Sequence, residues 1–146
     1  MQIPHDSFVV VADGAKMLFF RNKGDATHPN LEVEKKREQD VAKDSDIQSD
    51  ASGRNNESAR PGGSSYEDTD FHQLAEDRFA AETADLLNKR AMAGDFEKLL
   101  IVAPPKTLGE LRKHYHMELE QRLIGEIAKD LTKHPVNEIE KIIADS

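Results

Sequence analysis

The chain has 146 residues, 28 acidic and 20 basic, with a formal charge of −8 and no cysteine. That length suffices for one domain with a modest core, and the missing thiols exclude a disulfide, a thiolate metal site and a cysteine nucleophile. The acidic balance, the absence of tryptophan and the few tyrosines argue against broad electrostatic binding to nucleic acid or an anionic membrane, and against base stacking.

The opening MQIPHDSFVVVADGAKMLFF lacks a basic segment before its apolar part. The run FVVVA is too short for a signal-peptide core or a membrane span. A soluble, cytoplasmic protein with no membrane insertion is expected. Ser7 to Ala12 and Lys16 to Arg21 are apolar runs around Asp13-Gly14. An Asp-Gly pair between strand-like runs predicts a hairpin, because both turn residues tolerate positive φ. Asp13 is then a turn residue rather than a catalytic carboxylate. After a polar turn over Asn22 to Asn30, LEVEKKREQ supplies a third strand. Its weak alternation predicts an edge strand or one that is half exposed.

From Asp44 to Thr69 the residues are mainly Ser, Gly, Asn, Asp and Glu, the composition of a long flexible polar loop. Within it Gly62-Gly63, flanked by Arg60, Pro61 and Ser64, is the feature suited to close approach to a partner. Arg60 adds a forked donor for phosphate or carboxylate. Asp70 then opens a helix, with Gln73 at capping-box spacing. Phe71, Leu74, Ala75, Phe79, Leu86 and Leu87 form its apolar stripe, and Gly94 provides the stop.

The stretch LLIVAPPKTLGELRKH reads as strand, rigid loop and helix. Leu99 to Ala103 suits a strand covered on both faces. Pro104 and Pro105 lack N–H groups and end its pairing. Thr107 and Glu110 have capping-box spacing for the helix that follows. In open α/β sheets such a junction is a common ligand site, which makes Pro104 and Pro105 candidates for partner binding. Beyond it two readings stand. Leu108, Leu111, Tyr115, Leu119 and Leu123 lie on one long helix, or the helix ends near Gln121 and LIGEIAKDLT, Leu123 to Thr132, joins the sheet. Gly125 disfavours a helix interior only slightly. Pro135 suits the first turn of a last helix carrying Val136, Ile139, Ile142 and Ile143.

The chain shows no constellation for catalysis. His114 and His116 point to opposite sides of a helix, which is poor for chelation. There is no His-Glu-x-x-His helix, Walker loop or Gly-x-Ser-x-Gly elbow. Lys129-Asp130 is a candidate partner-binding pair, although an ordinary surface ion pair is the commoner role. No enzyme activity, metal or cofactor is expected.

The order VVVADGAKMLFF, a long polar loop, FAAETADLL, DFEKLLIVAPPKTLGELR and EIAKDLTKHP resembles the bacterial host-attachment family, described as required for attachment of bacteria to host cells. The resemblance covers nearly the whole chain, as a single domain over 1–146 with the loop at 44–69 inside it. That family in turn is similar to the middle domain of archaeal and eukaryotic peptide-chain release factors. The resemblance implies an α/β fold with a ribonuclease H-like motif: a mixed five-stranded sheet flanked by helices, a hairpin at its start and the functional loop before the first long helix. It also implies that LIGEIAKDLT is the last strand.

In release factors that loop carries Gly-Gly-Gln, whose glutamine helps position water at the peptidyl-tRNA ester. The matching place here has Gly62-Gly63 followed by Ser64, in a net acidic loop, so hydrolysis of peptidyl-tRNA is not carried over. Two functions follow from the resemblance. One is a non-enzymatic protein that supports attachment through an unknown protein partner. The other is a translation-associated factor that keeps the release-factor shape, with ribosome or RNA contact disfavoured by the acidic charge. A basic face among Lys35, Lys36, Arg37, Arg112 and Lys113 favours the second, and a dispersed basic set favours the first.

Overall fold

Two apolar pentapeptides, FVVVA and LLIVA, dictate the architecture, since strands with no polar face must be covered on both sides. The computed structural model describes residues 1–38 and 61–146, the side chains of 61–70 excepted. Its elements in chain order are β1 (Phe8–Ala12), β2 (Lys16–Asn22), β3 (Leu31–Glu38), α1 (Pro61–Met92), β4 (Leu99–Ala103), α2 (Pro105–Arg112), α3 (Met117–Arg122), β5 (Leu123–Ala128) and α4 (Val136–Ala144). The strands form one mixed five-stranded sheet in the order β3-β2-β1-β4-β5. β1 pairs antiparallel with β2 and parallel with β4, β2 pairs antiparallel with β3, and β4 pairs parallel with β5. The α/β fold expected from the release-factor likeness is therefore present, with its opening hairpin and its last strand.

Every residue of β1 and β4 is buried. Alternate side chains go to opposite faces. Phe8, Val10, Phe19, Leu99 and Ile101 meet Phe79, Leu87, Leu108, Leu111 and Leu119 of α1, α2 and α3 on one side. Val9, Val11, Phe20, Leu100 and Val102 meet Ile139 and Ile143 of α4 on the other. Leu123 to Ala128 pairs with β4, which decides between the helix and strand readings. The strand is shorter than LIGEIAKDLT, because the chain turns after Ala128 and Lys129 N–H bonds the Ile127 carbonyl at 3.0 Å. β3 is the expected edge, exposed along most of its length.

Several local expectations are corrected. α1 begins at Pro61, not Asp70, because proline fits a first helical turn where its missing N–H is not needed. Pro61 to Thr69 are thus helical rather than loop, and the remainder of the proposed loop, through Arg60, lies outside the described residues. Gln73 does not cap; its amide donates to Asp77 at 2.7 Å, one turn on. Leu74 is 63% exposed, and the buried stripe runs instead through Ala75, Phe79, Ala80, Ala84, Leu87 and Ala91. α2 begins at Pro105 with Pro104 as its N-cap and no side-chain cap. A proline before a proline is held extended, as Pro104 is, and Pro105 is set for the first turn, so Thr107 has no capping role. His114 and His116 lie between α2 and α3 rather than on a helix, where Asn88 fixes the connection by donating to the His114 carbonyl and accepting from His116 N–H. Pro135 is the N-cap of α4 rather than part of its first turn.

Two glycines show different physics. Gly94 ends α1 at φ +76°, with its own N–H on the Ala91 carbonyl and that of Asp95 on the Arg90 carbonyl, the paired bonds of a Schellman stop. Gly14 sits in the predicted hairpin turn, yet its φ is not positive. A Cβ there meets the exposed Glu76 side chain at 2.7 Å. Gly94→Ala is expected to lower stability by about 1 kcal/mol through its left-handed backbone. Gly14→Ala is expected to stay within about 0.5 kcal/mol, because Glu76 can turn aside. Urea denaturation of both variants checks this, and a larger loss at Gly14 contradicts it.

Candidate functional site

β1, β4 and β5 run parallel, so Ala12, Ala103 and Ala128 finish at one edge of the sheet. α1 returns the chain to the start of β4 and so runs against these strands, with its N-terminal half at that same edge. Contacts confirm the placement. Glu76 lies against Gly14, and Lys106 Nζ donates to the Gln73 side chain. The structure thereby gathers Pro104, Pro105, Lys129 and Asp130 at the edge toward which the α1 N-terminus, with Gly62, Gly63 and Ser64, is directed. Arg60 lies outside the described residues.

α1 spans about 48 Å at 1.5 Å per residue, whereas a five-residue strand spans about 17 Å. Among the residues whose side chains are described, its first core residue is Ala75. Pro61 to Leu74 make about 20 Å of helix ahead of it. Gly62 and Gly63 stand in the first turn, where they are poor helix formers and their use is the absence of side chains.

Asp13 is saturated by structure. Its Oδ1 accepts the N–H groups of Ala15 at 2.8 Å and Lys16 at 2.7 Å, which closes the hairpin turn. Its Oδ2 accepts the Thr132 hydroxyl at 2.8 Å, and Asp130 Oδ1 stands 3.1 Å from the same hydroxyl. Thr132 is buried and ties the loop after β5 to the turn after β1. Sequence reasoning missed this residue, because a contact 119 positions apart leaves no local signal. Lys129 and Asp130 do not pair with each other: Asp130 faces Thr132, and Lys129 has no side-chain partner among the described residues. The Pro104 carbonyl accepts Leu108 N–H at 2.9 Å, which leaves the two prolines as a rigid rim. No group here is placed as a nucleophile with an adjacent base.

The basic residues do not form a face. Lys35, Lys36 and Arg37 lie on the β3 edge, while Arg112 and Lys113 end α2, near β5 at the opposite edge. Four are neutralised: Lys36 by Glu38, Arg37 by Glu82, Arg112 by Glu126 and Lys113 by Glu110. Among the described residues no group of His, Asp and Glu could hold a metal ion, and no helix is long and apolar enough to cross a membrane.

A mixed sheet covered by helices on both faces, opened by a hairpin and entered by a long helix with Gly-Gly at its head, is a release-factor-like domain. The chain belongs to the bacterial archaeo-eukaryotic release factor family 12, whose model matches residues 6–143. The match does not indicate attachment to host cells. No curated protein matches the chain.

Two shifted groups lie away from that edge. Burial and the neighbouring Glu126 push the Tyr115 hydroxyl well above its ordinary value, so it stays protonated and donates to Glu126 at 3.2 Å. Glu34 accepts from Arg21 at 2.9 Å and from Arg90 at 3.3 Å. The Arg21 hydrogen bond, opposed in part by burial, holds its carboxyl below the ordinary value of 4.5. Both guanidinium groups also stack on Phe8, at 5.0 and 4.5 Å. A carboxyl with a depressed folded pKa stabilises above its unfolded pKa and loses that contribution as pH falls through the folded one. Wild-type protein is therefore expected to lose more stability than Glu34→Gln between about pH 6 and pH 3, with the difference vanishing at the acid end. Chemical denaturation across that range measures it; parallel curves contradict it.

Proposed function

We propose that the protein is a non-hydrolytic, translation-associated member of its family that meets the ribosome through the N-terminal end of α1. The reading rests on one observation: Gly62-Gly63 head a long helix whose N-terminal half lies at the edge of the sheet where the parallel strands end. Two residues without side chains let a partner approach the backbone closely. Ser64 in place of glutamine removes the carboxamide that a release factor uses to position water, so binding without peptide release is the activity expected. Because the basic residues are dispersed and paired, the contact is local and made by the helix head rather than by a charged face.

Co-sedimentation with ribosomes at low salt tests this. The wild type is expected to pellet with ribosomes and to release no peptide from peptidyl-tRNA. The double variant Gly62→Val, Gly63→Val is expected to bind about tenfold more weakly with an unchanged melting temperature. Absence of co-sedimentation, peptide release above background, or undiminished binding by the double variant each contradicts the reading.

The dispersed basic set favours a second reading, in which a protein partner takes the place of the ribosome and the chain supports attachment of bacteria to host cells without being an enzyme. A deletion strain with normal ribosome profiles and reduced attachment, restored by the wild-type chain, would support it over the first. Normal attachment would count against it.

A further inference from the structure

β3 is an edge of the sheet, and among the described residues no strand lies beyond it. Its sequence LEVEKKRE places Glu32 and Glu34 in the first half and Lys35, Lys36 and Arg37 in the second. Glu32 and Lys35 are exposed and have no ion pair among the described residues. Val33, between the two acids, is 54% exposed.

A bulge sets which way these side chains face. Phe20 opposes Val33 and Phe19 opposes Lys35, so Glu34 is the extra residue. Leu18 and Phe20 belong to the core under α4, which puts their neighbours Lys36 and Val33 on that face together with Leu31. Met17 and Phe19 belong to the core under α1, which puts Arg37 and Lys35 on the other face. Arg37 meets Phe79 and Glu82 of α1 there, and Glu34 meets Arg90. Glu32 opposes Arg21, which lies over Phe8 on the same side. The order of faces is therefore symmetric about the Glu34–Lys35 bond. On the α1 face the charges change sign across that bond, with Glu32 and Glu34 before it and Lys35 and Arg37 after it.

We propose that β3 pairs antiparallel with β3 of a second copy of this chain, about a two-fold axis between Glu34 and Lys35. An axis perpendicular to the sheet keeps each face on its own side, so opposed residues must share a face. In a regular strand such an axis falls on a residue, which then meets its own copy. The bulge lets it fall between two residues. Glu34 meets Lys35 of the second copy and Glu32 meets Arg37, each twice by symmetry. On the other face Val33 meets Lys36, whose methylene stem covers it, and Leu31 meets Glu38. Opposite charges across a strand pair are favourable, and like charges are unfavourable. An axis on any charged residue of β3 would oppose it to its own copy, and one on Val33 would set Glu32 against Glu34. The charges that deter other strands from this edge thus select one partner in one register.

Sedimentation equilibrium and a cysteine pair test the proposal. The wild type is expected to show a concentration-dependent monomer–dimer equilibrium. Glu32→Lys and Lys35→Glu each replace opposite charges by like ones at exposed positions without a partner in the monomer. Each should weaken dimerisation at least about tenfold with an unchanged circular dichroism spectrum. Because the chain has no cysteine, Val33→Cys combined with Lys36→Cys supplies the only thiols. Oxidation of that double variant should give a covalent dimer. Val33→Cys alone should not, since the two copies of position 33 lie about 10 Å apart along the strands, beyond the reach of a disulfide. The proposal is overturned if the wild type stays monomeric up to about 1 mM, or if either charge reversal leaves the dimer intact. It is also overturned if the double variant fails to cross-link, or if Val33→Cys alone cross-links as readily.

Discussion

The whole structure depends on the burial of β1 and β4 from both sides. Parallel neighbours at the centre of the sheet, they have no polar face to offer water. Each valine or leucine removed from water contributes roughly 1.5–3 kcal/mol, so leaving either face open would cost more than such a chain's net stability of about 5–15 kcal/mol. The remaining elements answer that demand. α1, α2 and α3 roof one face, and α4 roofs the other. The charged β3 closes one edge of the sheet, where Arg37 lies over the Phe79 ring at 4.9 Å.

Once those two strands are fixed and parallel, the ends of the sheet acquire different characters. At the end where the strands finish, the hairpin turn and the loop after β5 are locked together through Asp13 and Thr132. The head of α1 points toward that end with two glycines. At the end where the strands start, the Asn22 side chain ties the segment before β1 to the turn after β2.

How much of this was legible in the sequence follows from what kind of signal each feature leaves. β1 and β4 were readable because double-sided burial writes an unbroken apolar run. The hairpin was readable too, but its glycine works by leaving room for Glu76 rather than by a positive φ. The start of α1 was not readable, since Gly62, Gly63 and Ser64 are weak helix formers and Asp70 with Gln73 imitates a cap. Thr107 and Glu110 imitate one as well, and the fixed φ of Pro105 overrides them. The fifth strand needed the family likeness, because LIGEIA fits either state over six residues. The Asp13–Thr132 link leaves no local pattern, because it is made by distant segments meeting.

Native-state hydrogen exchange, followed residue by residue in increasing urea, tests most directly whether the β1–β4 pair governs the fold. Amides of Val9 to Val11 and Leu100 to Val102 that face a neighbouring strand should exchange only through global unfolding, with the full denaturant dependence of the unfolding transition. Those of β3 should exchange through smaller openings at lower free energy. Equal protection of β3 and the central pair, or exchange of the central amides through local openings, would contradict the account.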